Sequence, residues 1–337
     1  MKPLHVSSLF PALLLLAPLA AQDPIQLQAP KSGKVSFVQL GRQEQNIDAG
    51  GQQMEVVQEL THHFTIEVTG VAEDGKRTYT VVIDRVHGKL DIPMAGAIEF
   101  DSASKPEEGG AEEAADDEEG MGGMGIPSGE KLSAGLRELA GKTFTAEVQA
   151  DGSILGVAGF DEARKAAKKA LGMAAQMMDG AISDRGLQGL VRGAIGHLPK
   201  EAVAAGASWD TKVDAGSQMP MEQALKLTLG KVEADAVEIT YAGESKMKEG
   251  ARMPLPDAEV EGGKIEGKAT ISRKDGFTIA SKQTSNMSIF GENEMVGQMT
   301  IELKLITETK RADAAKAEEK KEEPKKEEAK KAPEAGK

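Results

Sequence analysis

Apolar and polar side chains alternate along much of this chain. From Met54 to Val68 the even positions Met54, Val56, Leu60, Phe64, Ile66 and Val68 are apolar, while Glu55, Glu59, Thr61, Thr65 and Glu67 occupy odd ones. Successive strand residues point to opposite faces, so a period of two predicts a long strand with one face buried and one wet. Asp74-Gly75 then precedes renewed alternation at Tyr79, Val81 and Ile83, the signature of a hairpin with a type I′ turn. Phe144, Ala146 and Val148 predict another strand, turned by Asp151-Gly152 into Ile154–Val157. Later strands are expected at Leu225–Leu229, Val237–Tyr241 and Ile265–Ser272, the last turned by Asp275-Gly276 into Phe277–Ser281. Met299, Ile301, Leu303 and Leu305 mark the final strand.

The period changes in the middle of the chain. A short helix is expected over 131–140, and a longer one over Glu162–Met178 with Asp161 as its cap. Ser183 caps a further helix in which Leu187, Leu190, Val191, Ala194, Ile195 and Leu198 form one buried stripe, stopped by Pro199. Strands on both sides of a helical segment imply an α+β fold: a large antiparallel, curved sheet of long strands with a central helical pair. The two strand blocks share no motif longer than Asp-Gly, so the sequence does not decide whether they are a duplication.

Two segments break the pattern. Residues 102–130 hold eight carboxylates between Glu107 and Glu119 and too few apolar groups to offset ordering entropy, so a disordered acidic insert is expected. Residues 310–337 alternate Lys and Glu pairs broken by Pro324 and Pro333, which predicts a solvated, disordered tail, or one that touches a charged envelope surface. The expected layout is a signal peptide at 1–21, a strand meander at 22–101, the insert at 102–130, the rest of the α+β body at 131–309 with helices at about 161–198, and the tail at 310–337.

The N-terminus bears on location. Lys2, the apolar run Leu9–Leu19 and the small pair Ala20-Ala21 have the three parts of a cleavable secretory signal, with the mature chain starting at Ala21 or Gln22. The run is too short, and too interrupted by Pro11 and Pro18, to span a bilayer. The expectation is an exported, soluble protein, periplasmic or extracellular. Gln22 stands where a lipoprotein signal would place its cysteine, and with no cysteine in the chain, lipid anchoring there, disulfides and thiolate chemistry are excluded. Roughly 260 residues remain to build a core. A net charge of -13 and 3 % aromatics argue against nucleic acid as a partner.

No motif yields a catalytic, cofactor or metal assignment. Gly135 to Thr143 resembles a phosphate loop, but five residues separate its glycines and Gly-Lys-Thr leads into a strand. Ser102-Ala-Ser-Lys105 matches SxxK at a strand exit, without the rigid helix start that activates a serine. His62 and His63 point to opposite faces of one strand, with His62 on the apolar side as a core histidine, and His87 and His197 lie in other segments. Met121 and Met124 beside the acidic run would make at most a loose cation site. Arg164, Lys165, Lys168 and Lys169 give their helix a basic face, suited to water when the helix packs on a sheet, or to anionic lipid.

An export signal without a lipid-anchoring cysteine, a meander ending in Phe100-Asp101-Ser102, and Leu198-Pro199 followed by Gly206-Ala207-Ser208-Trp209 together resemble an uncharacterised family of exported bacterial proteins, classed as a domain of unknown function. The resemblance covers most of residues 34–309, reads Trp209 as a core anchor, and implies no catalytic residue. The resulting expectation is a non-enzymatic envelope protein acting by binding or as structure. The alternatives are a carrier holding an apolar, lipid-like ligand between curved sheet and helices, and a hydrolase whose site is assembled from distant residues. A cavity beneath the helices would favour the carrier.

Overall fold

The computed structural model describes residues 23–93, 95–105, 127–215, 221–248, 259–293 and 297–313. Among these, twelve strands form one antiparallel sheet that does not close on itself. The first half of the chain supplies β1 (Lys34–Ala49), β2 (Gln52–Val71), β3 (Arg77–Ile92), β4 (Gly96–Asp101), β5 (Thr143–Val148) and β6 (Ile154–Ala158). The second half supplies β7 (Ser208–Ala215), β8 (Met221–Val232), β9 (Ala236–Met247), β10 (Glu259–Ser272), β11 (Thr278–Asn293) and β12 (Gly297–Arg311). The order across the sheet is β6-β5-β3-β2-β1-β12-β11-β10-β9-β8-β7, with β4 beside β3. Each half is therefore a meander, and the first and last strands meet in the middle.

Turn chemistry sets the registers. Gly50 and Gly51, at φ 60° and 83°, close the β1–β2 hairpin so that Ala49 faces Gln52, the left-handed pair a type I′ turn demands. At the next turn Gly75 has φ 83° and the Asp74 carboxylate accepts from the Lys76 amide at 3.0 Å. The hairpins at Asp151-Gly152 and Asp275-Gly276 form as expected.

Helix α1 (Gly129–Arg137) lies between β4 and β5, and α2 (Asp161–Leu171), α3 (Asp179–Ile182) and α4 (Asp184–Ile195) lie between the two halves of the chain. Helix α1 is the short helix expected over 131–140, and the expected central pair is three helices, α2, α3 and α4. The helix foreseen over Glu162–Met178 stops at Leu171, because Gly172 turns to φ 58° and a 3-10 turn follows over Gly172–Ala175. Asp161 does not cap α2. It lies inside the first turn and pairs with Arg164 at 3.0 Å, while Phe160 holds the cap position. Ser183 caps α4 as expected, accepting from the Gly186 amide at 3.1 Å.

The folded body reaches into both charged segments. Ser102 is buried and accepts from the Val86 amide at 2.9 Å, and α1 starts inside the segment expected to be disordered, capped by Ser128. Ser133 docks that helix on β4 by accepting from the Asp101 amide at 3.0 Å. The rest of the expected insert, 106–126, lies outside the described residues, as do residues 1–22 and 314–337. At the other end β12 continues through Lys310 and Arg311, and Arg311 grips Asp275 with Nη1 at 3.0 Å and Nη2 at 2.7 Å.

Helix α4 touches β6 at one edge and β1, β12 and β11 in the middle. Six strand spacings separate β6 from β11, about 28 Å if flat, whereas a helix is about 10–12 Å across. The sheet therefore curls around α4. The concave side is the core: Phe37 stacks on Phe64 at 5.5 Å and meets Phe277 at 6.2 Å, which joins β1 and β2 to the start of β11. The two faces of β2 should accordingly respond differently to truncation. Phe64→Ala, at a fully buried position, is expected to cost about 3–5 kcal/mol. Thr65→Ala, which removes hydrogen bonds to Ser36 (2.8 Å) and Asp84 (2.9 Å) on the outer face, is expected to cost about 1 kcal/mol. Urea unfolding of the two variants measures the contrast.

Candidate functional site

Helix α4 is both anchored and undercut by its own sequence. Leu187, Leu190, Val191, Ala194 and Ile195 are buried, as their spacing predicts. Gly186, Gly189 and Gly193, with Gly196 just past the helix, recur every three or four residues and so lie along one side. At Gly193 the backbone lies close to the sheet: an added Cβ would sit 2.6 Å from Thr309 Oγ1 and 3.0 Å from Gln39 Nε2. At Gly189 an added Cβ would meet nothing within 4 Å. The helix thus touches the sheet near its C-terminal end and stands over open space one turn earlier.

That space is a cavity of about 340 Å³ between α4 and the concave face. The strand register lays its floor in rows. One crosses Gln39, Thr309, Ser281, Ala269 and Ile239; the next crosses Gly41, Thr307, Gln283, Gly267, Tyr241 and Leu227. Tyr241 lies over Gly267, where an added Cβ would strike its ring, and packs edge-on against His197 with centroids 5.9 Å apart. Leu60, Leu190, Leu227, Ile239 and Leu305 supply apolar wall. Leu305 also packs against a second cluster of Met221, Met287 and Leu303, with Met247 and Val260 at its edge.

Neutral groups dominate the polar part of the lining. Gln58 donates to the Met177 carbonyl at 2.9 Å, and Gln39 reaches the Gly189 carbonyl at 3.5 Å. His62, 5 % exposed, and Thr309, fully buried, line the cavity with Nε2 and Oγ1 unpartnered. Burial lowers the His62 pKa to about 4, with the charges of His63 and His87 adding to the shift. Burial likewise brings His197 down to about 3, reinforced by Arg192, and raises Tyr241 to about 12. Both imidazoles are therefore uncharged at neutral pH. Among the described residues, Arg42, Arg185 and Arg192 are the charged ones of the lining, and no Asp or Glu belongs to it.

The other sequence candidates lie elsewhere. His62 is a buried histidine, as its face predicted, and one that also reaches the cavity wall. His63 and His87 come together on the opposite, convex face. Gly135, on α1, packs against Leu171 of α2, and a helix precedes Gly141 while β5 follows Lys142. Arg164 is a staple: its Nε donates to the Ile182 carbonyl at 2.9 Å, and its guanidinium pairs with Asp161 and Asp184, tying α2 to α4. Lys165, Lys168 and Lys169 are exposed. Trp209 is half-buried against the core beside its register partner Leu227. Met121 and Met124 lie outside the described residues. The glycine face of α4 is the feature that sequence reasoning missed, because only the apolar stripe of that helix was followed.

The sequence profile described as "Family of unknown function (DUF6263)" matches residues 74–278. No curated protein matches the chain. Among solved structures, one described as lipid–protein interactions in lipovitellin aligns with TM-score 0.43 and 9 % identity, covering 83 % of this chain and 25 % of that one. The chain thus spans a quarter of the length of that protein. A DUF1329 family protein from Desulfovibrio piger aligns with TM-score 0.12 and 8 % identity, over 83 % of this chain and 86 % of that one.

Two measurements test this geometry. Gly189→Ala is expected to raise stability by up to about 1 kcal/mol, since it improves helix propensity where there is room. Gly193→Ala is expected to lower it by about 1–3 kcal/mol by wedging α4 off Gln39 and Thr309. Urea midpoints report both. Stability should also fall in mild acid, with His197 as one cause. Its folded pKa lies below its unfolded value, so the unfolded state binds the extra proton and stability is lost as pH drops below about 6.5. By pH 5 the loss amounts to up to about 2 kcal/mol, and His197→Gln should remove it from the pH profile of the melting temperature.

Proposed function

The chain belongs to DUF6263, a family of unknown function, and from that premise we propose an activity read from its groove: it is an exported, non-enzymatic carrier of an amphiphilic molecule. The observation that carries this reading is the cavity under α4, of about 340 Å³, within the range of about 300–1,000 Å³ typical of small-molecule sites. Its leucines and Ile239 suit an apolar body, and the adjoining methionine cluster offers an adaptable continuation. Neutral Gln, Thr and imidazole groups, with two arginines on α4 and no carboxylate among the described residues of the lining, suit a neutral or anionic head and disfavour a cationic one. The unpartnered His62 Nε2 and Thr309 Oγ1 are polar atoms that a bound head group would satisfy.

The cavity favours the carrier over a filled, purely structural body. A hydrolase is the weaker reading, because no carboxylate among the described residues of the lining stands ready to orient His62 or His197 as a base. Export rests on Lys2, the Leu9–Leu19 run and Ala20-Ala21. A fluorescent fatty acid titrated into the delipidated protein tests the carrier. Wild type is expected to bind it saturably, and Gly189→Leu, which fills the space beneath α4, to weaken binding at least tenfold while unfolding at a similar urea concentration. Equal binding by a folded Gly189→Leu protein, or none by wild type, would overturn the reading.

A further inference from the structure

On the convex face, away from the cavity, β2 and β3 bring His63 and His87 together with Nε2 atoms 3.2 Å apart. The ring centroids are 5.3 Å apart, so the imidazoles meet nearly head-on and their Nε2 atoms point at one another. The register explains why. His63 faces Arg85 and His87 faces Thr61, so the two histidines are diagonal neighbours on one sheet face, within reach of long side chains. In the bulge, Asp84 stands between Arg85 and Ile83, the partners of His63 and Phe64.

We infer that this pair is a binding site for a divalent transition-metal ion, of the class that imidazole nitrogen prefers, such as Zn²⁺ or Cu²⁺. Two imidazoles in hydrogen bond share one proton between facing lone pairs, and a metal ion can take the place of that proton, the donor ring then carrying its proton on Nδ1. With metal–nitrogen bonds of about 2.0–2.1 Å and a tetrahedral angle, two ligand nitrogens lie about 3.3–3.4 Å apart, which the pair reaches by opening about one or two tenths of an ångström while each imidazole swings by roughly 35° to aim its lone pair at the ion. The nearest guanidinium, on Arg85, is held by Asp101, its Nε donating to Oδ1 at 2.9 Å, which offsets its repulsion of a cation. Among the described residues no group of three or more His, Cys, Asp or Glu converges on a metal position, so the chain supplies two ligands and water completes the shell. Such an ion clamps β2 to β3 from outside, independently of what fills the concave side.

Calorimetric titration of Zn²⁺ into the tag-free mature protein tests the site. One ion per chain is expected, with binding weakened at least about tenfold in both His63→Gln and His87→Gln and unchanged in His197→Gln. Zn²⁺ should also raise the melting temperature of wild type and of neither site variant, which checks the result on folded protein. Unchanged affinity in either site variant, one ion per two chains, or no saturation below millimolar Zn²⁺ would overturn the inference. None of these readouts depends on the cavity, so the carrier reading stands or falls separately.

Discussion

The pairing of β1 with β12 is the contact on which the rest depends. Thirteen register pairs, from Phe37 with Arg311 to Ala49 with Met299, join strands from opposite ends of the described chain. Without this ladder there are two meanders, each with an unpaired edge along its inner strand. With it, one continuous concave surface forms and wraps α4. Each floor row of the cavity crosses this seam, from Gln39 to Thr309 and from Gly41 to Thr307. Loop-closure entropy opposes so distant a pairing, and the Phe37–Phe64–Phe277 stack and the Arg311–Asp275 ion pair stand at the same end of the seam to hold it.

Most strands were legible because a half-buried strand writes its environment at every second residue. Phe64, Tyr79, Val81, Phe144 and Leu227 are buried as their alternation predicts, and three Asp-Gly turns mark real hairpins. Less visible was where charged composition stops meaning disorder. Ser102 and Ser128–Glu130 look like their acidic neighbours, yet a buried hydroxyl and a helix cap draw them into the body. The break at Gly172 was hidden because alanine and methionine on either side keep helical character, and only the positive φ of the glycine ends the helix.

The candidate site was hardly legible. Periodicity reports which side chains are buried, and a cavity is defined by side chains that are missing. The glycines of α4 carry that information, but their effect depends on what lies opposite: Gly193 faces Gln39 and Thr309 closely, whereas Gly189 faces nothing. His62 was assigned correctly to the buried face, but its open Nε2 lines a cavity whose other walls come from residues more than a hundred positions away, such as Arg185 and Tyr241. Likewise the meeting of His63 and His87 follows from a register with a bulge, which neither residue's own neighbourhood reveals.

The seam also has a clock. Phe37 leaves the ribosome 274 residues before its partner Arg311, an interval of roughly 15–55 s at the usual pace of synthesis. Throughout it, β1 can pair on one side only, with β2, and presents its other edge unpaired along with Phe37, which has no Phe277 to cover it. A second nascent copy carries its own β12 and can offer it first, giving an exchanged dimer with the same ladder and the same groove.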